Sequence, residues 1–173
     1  MKKGKIMPEL PEVETVRKTL RSFILNHTIL DVVVLYDRVI DGDTKAFIDT
    51  IKSQKIIEVD RQGKYLIFKL EKDAFISHLR MEGKYHFGIE GKDFDLQSKE
   101  SKHMHVLFDY DDGYSLIFLD VRKFGRIVYK ELDDLCKNTQ AIFLALNKNV
   151  LLLQKEHFDL MQGKRILFNT SIV

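Results

Sequence analysis

Two glycine-bearing turns constrain this chain more than any other feature. Arg61-Gln62-Gly63-Lys64 and Asp111-Asp112-Gly113 each lie between two runs rich in β-branched and aromatic residues. A polar break of this kind between two such runs predicts a β-hairpin. The first turn joins Lys55–Asp60 to Tyr65–Leu70, and the second joins His105–Tyr110 to Tyr114–Leu119. Thr28–Leu35, Ala74–Leu79 and Gly125–Tyr129 have similar character and predict three more strands. Gly88–Lys102 is polar and predicts a loop.

Helices are expected around these strands. Pro8–Asn26 carries Pro11 in its first turn, where a missing N–H costs nothing, and Glu12 and Glu14 near the positive end of the helix dipole. Val13, Val16, Leu20, Phe23 and Ile24 recur at helical spacing and predict one apolar stripe. Thr44–Ser53 predicts a short helix with Ala46, Phe47 and Ile51 facing inward. The expected class is α+β, mainly β: an N-terminal helix followed by a two-layer β-sandwich with flanking helices. From about Asn138 the alternation fades, Leu and Asn runs appear in Ala141–Leu153, and one or two helices are expected.

Composition narrows the function less than the motifs do. The 173 residues suit one domain with a small extra piece, and 45% apolar residues suffice for a core. No apolar run is long enough to cross a membrane as a helix, and no signal-peptide hydrophobic region opens the chain, so a cytoplasmic location is expected. The net charge of +2 says little about partners, because a nucleic-acid binder is marked by where its basic residues sit. Cys136 is the single cysteine, so these residues can build neither an internal disulfide nor a cysteine-pair zinc site.

The most informative string is Met7-Pro8-Glu9-Leu10-Pro11-Glu12-Val13-Glu14-Thr15-Val16. Three further blocks are Ser77-His78-Leu79-Arg80-Met81-Glu82-Gly83-Lys84-Tyr85, Lys102-His103-Met104-His105-Val106 and Asp120-Val121-Arg122-Lys123-Phe124-Gly125. With Arg61-Gln62-Gly63-Lys64-Tyr65-Leu66, they resemble, in order, the sequence blocks of the formamidopyrimidine-DNA glycosylases. Leu10, where the related endonuclease VIII group usually has glycine, favours the former branch. The resemblance runs to about Tyr129.

That resemblance implies a bifunctional glycosylase and abasic-site lyase of base-excision repair. It would act on oxidised purines in double-stranded DNA, as a monomer, at the bacterial nucleoid. Pro8 matches the family's nucleophile, an N-terminal proline amine that attacks the sugar C1′ and forms an iminium. Glu9 matches its acid/base residue, and Glu12 a second glutamate whose role is structural hydrogen bonding or support of catalysis. Lys64 matches its catalytic lysine. Met81, Arg122 and Phe124 match the residues that fill the void left by an extruded base. His103 and Arg122 match DNA contacts, although Met104 replaces an acidic residue common at that position. Taken singly, each would be an ordinary core or surface residue.

Two departures bear on activity. Met1–Ile6 precede the motif, and an internal proline cannot be the nucleophile because its nitrogen is a tertiary amide. Residues 1–7 are therefore expected to be a leader, untranslated or removed, with translation starting at Met7. Residues 8–130 are expected to form the catalytic domain and 131–173 a divergent or truncated tail, mainly helical. The family continues into a helix–two-turn–helix part and a four-cysteine zinc finger that this chain lacks, so no cofactor and no metal site are expected within it. The alternative is a catalytically inactive remnant that still binds damaged DNA. A third reading, an unrelated β-sandwich interaction module, requires every motif block to be coincidental.

Overall fold

The computed structural model describes residues 9–161. They fall into two compact units that part between Asp133 and Asp134. The first unit is α+β and mainly β, as expected. Helix α1 (Leu10–Ile24) and strand β1 (Ile29–Val34) are followed by β2 (Ile40–Asp41), helix α2 (Thr44–Ile51) and strands β3 (Ile56–Gln62) to β5. These include β4 (Tyr65–Leu70) and β5 (Asp73–His78), and β6 (Lys84–Gly88), β7 (Met104–Tyr110), β8 (Ser115–Leu119) and β9 (Arg126–Glu131) complete the unit. Helix α3 (Leu132–Met161) makes up most of the second unit, and its backbone leaves helical geometry at Asn138 (φ −119°, ψ 24°).

The strands form two sheets, ordered β1-β7-β8-β6 and β2-β9-β5-β4-β3. All named pairs are antiparallel except β2 with β9. Both predicted hairpins form: Gln62 pairs with Tyr65 across the first turn, and Asp109 with Ser115 near the second. Aromatic rings join the two sheets. Phe68 and Phe75, cross-strand partners on β4 and β5, stack at 4.3 Å, and Phe75 stacks on Phe108 of β7 at 5.1 Å. Phe47 of α2 meets both Phe75 and Phe108 edge-on. All four rings are buried.

Three sequence expectations change. Strand β6 occupies Lys84–Phe87, to which the sequence assigns no element, and the first residue of the expected loop, and pairs with β8 to complete the first sheet. Ala46 is exposed, because the two-turn helix α2 buries only Phe47 and Ile51, four residues apart on one face. Phe23 is 45% exposed, whereas Val13, Leu20 and Ile24 are buried. Its ring lies at the edge of the stripe, stacked on Phe87 at 4.9 Å, and Phe87 stacks in turn on Tyr114.

Helix α1 packs on β3 through charge as well as apolar contact. Glu14 Oε1 pairs with Arg17 Nη2 at 2.8 Å, and Arg17 Nη1 donates to the Val59 carbonyl on β3 at 3.1 Å. Glu14 Oε2 accepts from Arg61 Nε at 2.9 Å, and Arg61 Nη1 donates to the Gly63 carbonyl in the turn that carries Lys64. One carboxylate thus ties the first helix to the lysine turn. Hydrogen bonds from Arg17, then from Arg61, lower the Glu14 carboxyl to about 2 from an ordinary 4.5.

Two outcomes follow from this packing. Phe75→Ala should cost about 3–5 kcal/mol, because a large ring leaves a core where both sheets meet; denaturant unfolding of the full chain measures it. Glu14, whose folded pKa is depressed, stabilises the fold fully above pH 4.5, and that contribution is lost as pH falls through about 2. Glu14→Gln should therefore be less stable than the parent near neutrality, with the gap closing across that acid window. Thermal unfolding as a function of pH checks it.

Candidate functional site

The candidate site is built from loops at strand ends. Lys64 is half-buried in the two-residue turn between β3 and β4. Gly63 precedes it with φ +57°, a conformation in which any side chain would be strained. Glu9 caps α1, and its backbone N–H donates to Glu12 Oε2 at 3.1 Å, so Glu12 satisfies a donor that the helix leaves open. Pro8 lies outside the described residues.

Met81 follows β5 on a tight loop. Arg80 takes a left-handed φ of 56°, and the Gly83 N–H returns to the Leu79 carbonyl at 2.8 Å. A side chain on Gly83 would collide with that carbonyl, so the turn requires glycine. The result is a half-buried Met81 raised on a closed loop.

Arg122 and Phe124 lie on the loop between β8 and β9. Arg122 is exposed and meets the methionine loop twice: its Nη1 lies 3.5 Å from Met81 Sδ, and its Nε lies 3.5 Å from Glu82 Oε1. Phe124 is half-buried. His103 ends a short 3₁₀ turn (Lys99–His103), is half-buried, and accepts the Asp120 N–H on its backbone carbonyl at 2.9 Å. Met81, Arg122 and the backbone of His103 thus belong to one connected set of loops.

Two residues inside the quoted blocks take on roles that linear reading did not assign. His78 pairs with Tyr65 on β4 and Arg126 on β9, so these three form one row across the end of the second sheet. Its ring is buried, and its Nδ1 accepts the Arg80 N–H at 3.0 Å. Burial, then the charges of Arg80 and Lys64, push its pKa down to about 3, so the imidazole stays neutral. The other is Asp120, a buried carboxylate at the root of the Arg122–Phe124 loop. The signal for both was burial of a polar residue at a strand end, which neighbours in sequence do not reveal.

Among the described residues one group could hold a cation by its ligand types, His27 with Asp111 and Asp112. His27 Nδ1 faces Asp111 at 2.8 Å and Nε2 faces Asp112 at 3.4 Å. The carboxylates oppose different ring nitrogens, which suits a polar latch between the α1–β1 connection and the β7–β8 hairpin.

Comparison with known proteins agrees with this geometry. Residues 7–127 match the formamidopyrimidine-DNA glycosylase N-terminal domain. A formamidopyrimidine-DNA glycosylase of Ligilactobacillus salivarius is 48% identical over 122 residues, 70% of this chain and 42% of the relative. One from Lactobacillus johnsonii is 37% identical over 169 residues, 96% of this chain and 59% of the relative. The Lactococcus lactis enzyme in complex with abasic-site DNA superposes with a TM-score of 0.68 at 33% identity, covering 78% of this chain and 48% of that one. The same enzyme with FAPY-dG-containing DNA gives 0.68 at 34% identity, covering 77% and 48%. The chain spans about half the length of these proteins. With 7–127 matched as one block and the loops in place around it, the chain belongs to the formamidopyrimidine-DNA glycosylase family, whose N-terminal domain it carries.

Proposed function

We propose that residues 8–130 are the catalytic domain of a bifunctional DNA glycosylase and abasic-site lyase that removes oxidised purines during base-excision repair. The observation that carries this reading is the meeting of Met81 and Arg122 on two separate loops, with Nη1 3.5 Å from Sδ. An enzyme that acts on a base must take it out of the stack, and the gap must be filled. An unbranched thioether and the half-buried Phe124 ring suit wedges between bases, and the Arg122 guanidinium suits hydrogen bonding to the partner base.

The chemistry begins at Pro8. As an N-terminal residue it presents a secondary amine, and a terminal amine with a pKa of about 8 is partly neutral at physiological pH. Its lone pair forms a bond to the sugar C1′ as the bond from C1′ to the damaged base breaks. The electron pair leaves with the base, and the sugar ring opens to an iminium. Glu9 is the acid/base group that protonates the opening sugar or shuttles the amine proton. The iminium then acidifies the adjacent sugar proton, whose loss expels the phosphate and cuts the strand. Lys64 contacts phosphate near the lesion and assists that elimination. His103 and Arg122 hold the backbone. Glu12 supports the site by fixing the Glu9 backbone at the helix start.

The reading includes double-stranded DNA with an oxidised purine or abasic site as partner, a monomer acting in the cytoplasm, and no cofactor in the chemical step. Residues 1–7 and 131–173 lie outside the proposed catalytic unit. An inactive binder of damaged DNA is the alternative where Pro8 stays internal, since seven residues precede it.

Borohydride trapping on abasic-site DNA decides between them. The form that begins at Pro8 should be trapped covalently, and the form that retains Met1–Met7 should not; equal trapping of both would sink the assignment of the nucleophile. The wedge is tested separately. Met81→Ala and Phe124→Ala should weaken binding to lesion duplex on the order of tenfold, with little change on intact duplex, because a wedge acts only once a base is extruded. An equal loss on both duplexes would show damage to the fold instead.

A further inference from the structure

We propose that Asp120 is the positioning residue that sets both DNA-facing loops of this domain at once, an inference that rests on the glycosylase reading of those loops. Asp120 is 1% exposed. A carboxylate so far from water needs strong partners. Its two oxygens both find backbone donors on the Arg122–Phe124 loop: Oδ1 accepts the Arg122 N–H at 3.0 Å, and Oδ2 accepts the Gly125 N–H at 2.7 Å. The side chain therefore grips the loop on either side of Lys123 and Phe124. Lys123 takes the left-handed φ of 61° that the short span requires.

The backbone of the same residue holds the histidine segment. The Asp120 N–H donates to the His103 carbonyl at 2.9 Å. The Asp120 carbonyl faces His105 Nε2 at 2.7 Å, so that nitrogen carries the proton and donates. The buried His105 ring packs against Tyr36 at 5.1 Å between centroids, and Lys123 Nζ sits 4.8 Å above the other ring of that pair, Tyr36. A closed circuit results, from Asp120 through His105 and Tyr36 to Lys123 and back along the loop to Asp120. Gly125 completes it. A side chain there would lie within 2.5 Å of the Phe118 ring, so only glycine lets its N–H reach Oδ2.

The wedge and the backbone contact therefore share one anchor. Each of the two carboxylate bonds is charge-assisted and shielded from water, which makes both stronger than neutral bonds at a surface. A side chain that carries no atom to the DNA would set the spacing between the residue that enters the duplex and the residue that holds its backbone. Functional groups held by such supporting bonds lose precision when the support is removed, even where the groups themselves remain.

Amide hydrogen exchange on the unaltered full chain is the first test. The Arg122 and Gly125 amides should be protected, while Val121 and Lys123 in the same exposed loop exchange freely. Equal exchange at all four positions would overturn the proposal without any variant or DNA. Asp120→Asn is the second test, because it keeps the shape but turns a donor toward one backbone N–H. The Arg122 and Gly125 amides should then exchange roughly tenfold or more faster, while Leu107 and Ile117 in the core keep their protection. Preference for lesion over intact duplex should drop on the order of tenfold, and adding Phe124→Ala should bring no further loss, since both changes act through one loop. Asp120→Glu keeps the charge but moves it by a methylene and should not restore the preference. Rescue by Asp120→Glu, or losses that add, would assign Asp120 a role in charge or general stability and remove it as a positioning residue. If the unaltered chain shows no preference for lesion DNA, the glycosylase reading fails, and the exchange arm still decides whether Asp120 holds the loops.

Discussion

The contact on which the rest of the domain depends is the aromatic column that crosses from one sheet to the other. Phe68, Phe75 and Phe108 lie nearly parallel, with interplanar angles of 10° and 6°, and each belongs to a different strand. Burying these rings removes a large apolar area from water and holds two sheets whose strand ends carry the loops of the candidate site. Neither sheet could stay flat against solvent on its inner face, because β4, β5, β7 and β8 are buried along most of their length. The loops then need little apolar surface of their own. Glycine N–H groups close them, Gly83 on a backbone carbonyl and Gly125 on the Asp120 carboxylate, and they stand on a base that packing makes rigid.

Charge is distributed to match. The net charge is small because 28 lysines and arginines nearly balance 26 acids, and many of those acids pair on the scaffold. Glu14 binds Arg17 and Arg61, Glu58 binds Arg21, Asp60 binds Lys69 and Asp31 binds Lys52. Such pairs cancel at short range. At the end of the second sheet burial first, then the charges of Arg80 and Lys64, disfavour protonation of His78, and burial first, with Arg126 a smaller cause, lowers the pKa of Arg80. A chain with a net charge of +2 still brings Lys64, Arg80 and Arg126 to one end of that sheet.

Much of this was legible in the sequence because it depends on local chemistry. Gly63 and Gly113 mark turns that only a residue tolerant of positive φ makes easily, so both hairpins could be placed. Pro11 and Glu12 mark the start of α1 for equally local reasons. Strand β6 escaped because it is short, only partly buried along Lys84–Phe87, and runs into a polar loop. Phe23 was misplaced because helical spacing shows that a residue is near the stripe, not whether Phe87 will be there to cover one face of its ring. The candidate site residues follow the same division. Lys64, Met81, Arg122 and Phe124 sit at loop positions that motif order identifies. His78 and Asp120 depend on which strands become neighbours and on how deeply a polar group is buried, and only the folded chain decides either.

The pairing of Arg122 with Glu82 shows why such loops can be both ordered and ready to change partners. With the Arg122 side chain 43% exposed and a separation of 3.5 Å, the ion pair lies in a setting where such contacts are worth about 0–1 kcal/mol. The sulfur contact to Met81 is weaker still. Neither bond resists exchange for a stronger acceptor, to which a guanidinium can make two well-directed hydrogen bonds. The backbone beneath is held differently, since the Arg122 N–H is bound to a buried carboxylate. Order therefore resides in the main chain of the loop and freedom in its side chain. On the proposed reading Arg122 holds a fixed position while trading a carboxylate for DNA, and a loop fixed through its side chains would have to break its own support in order to bind.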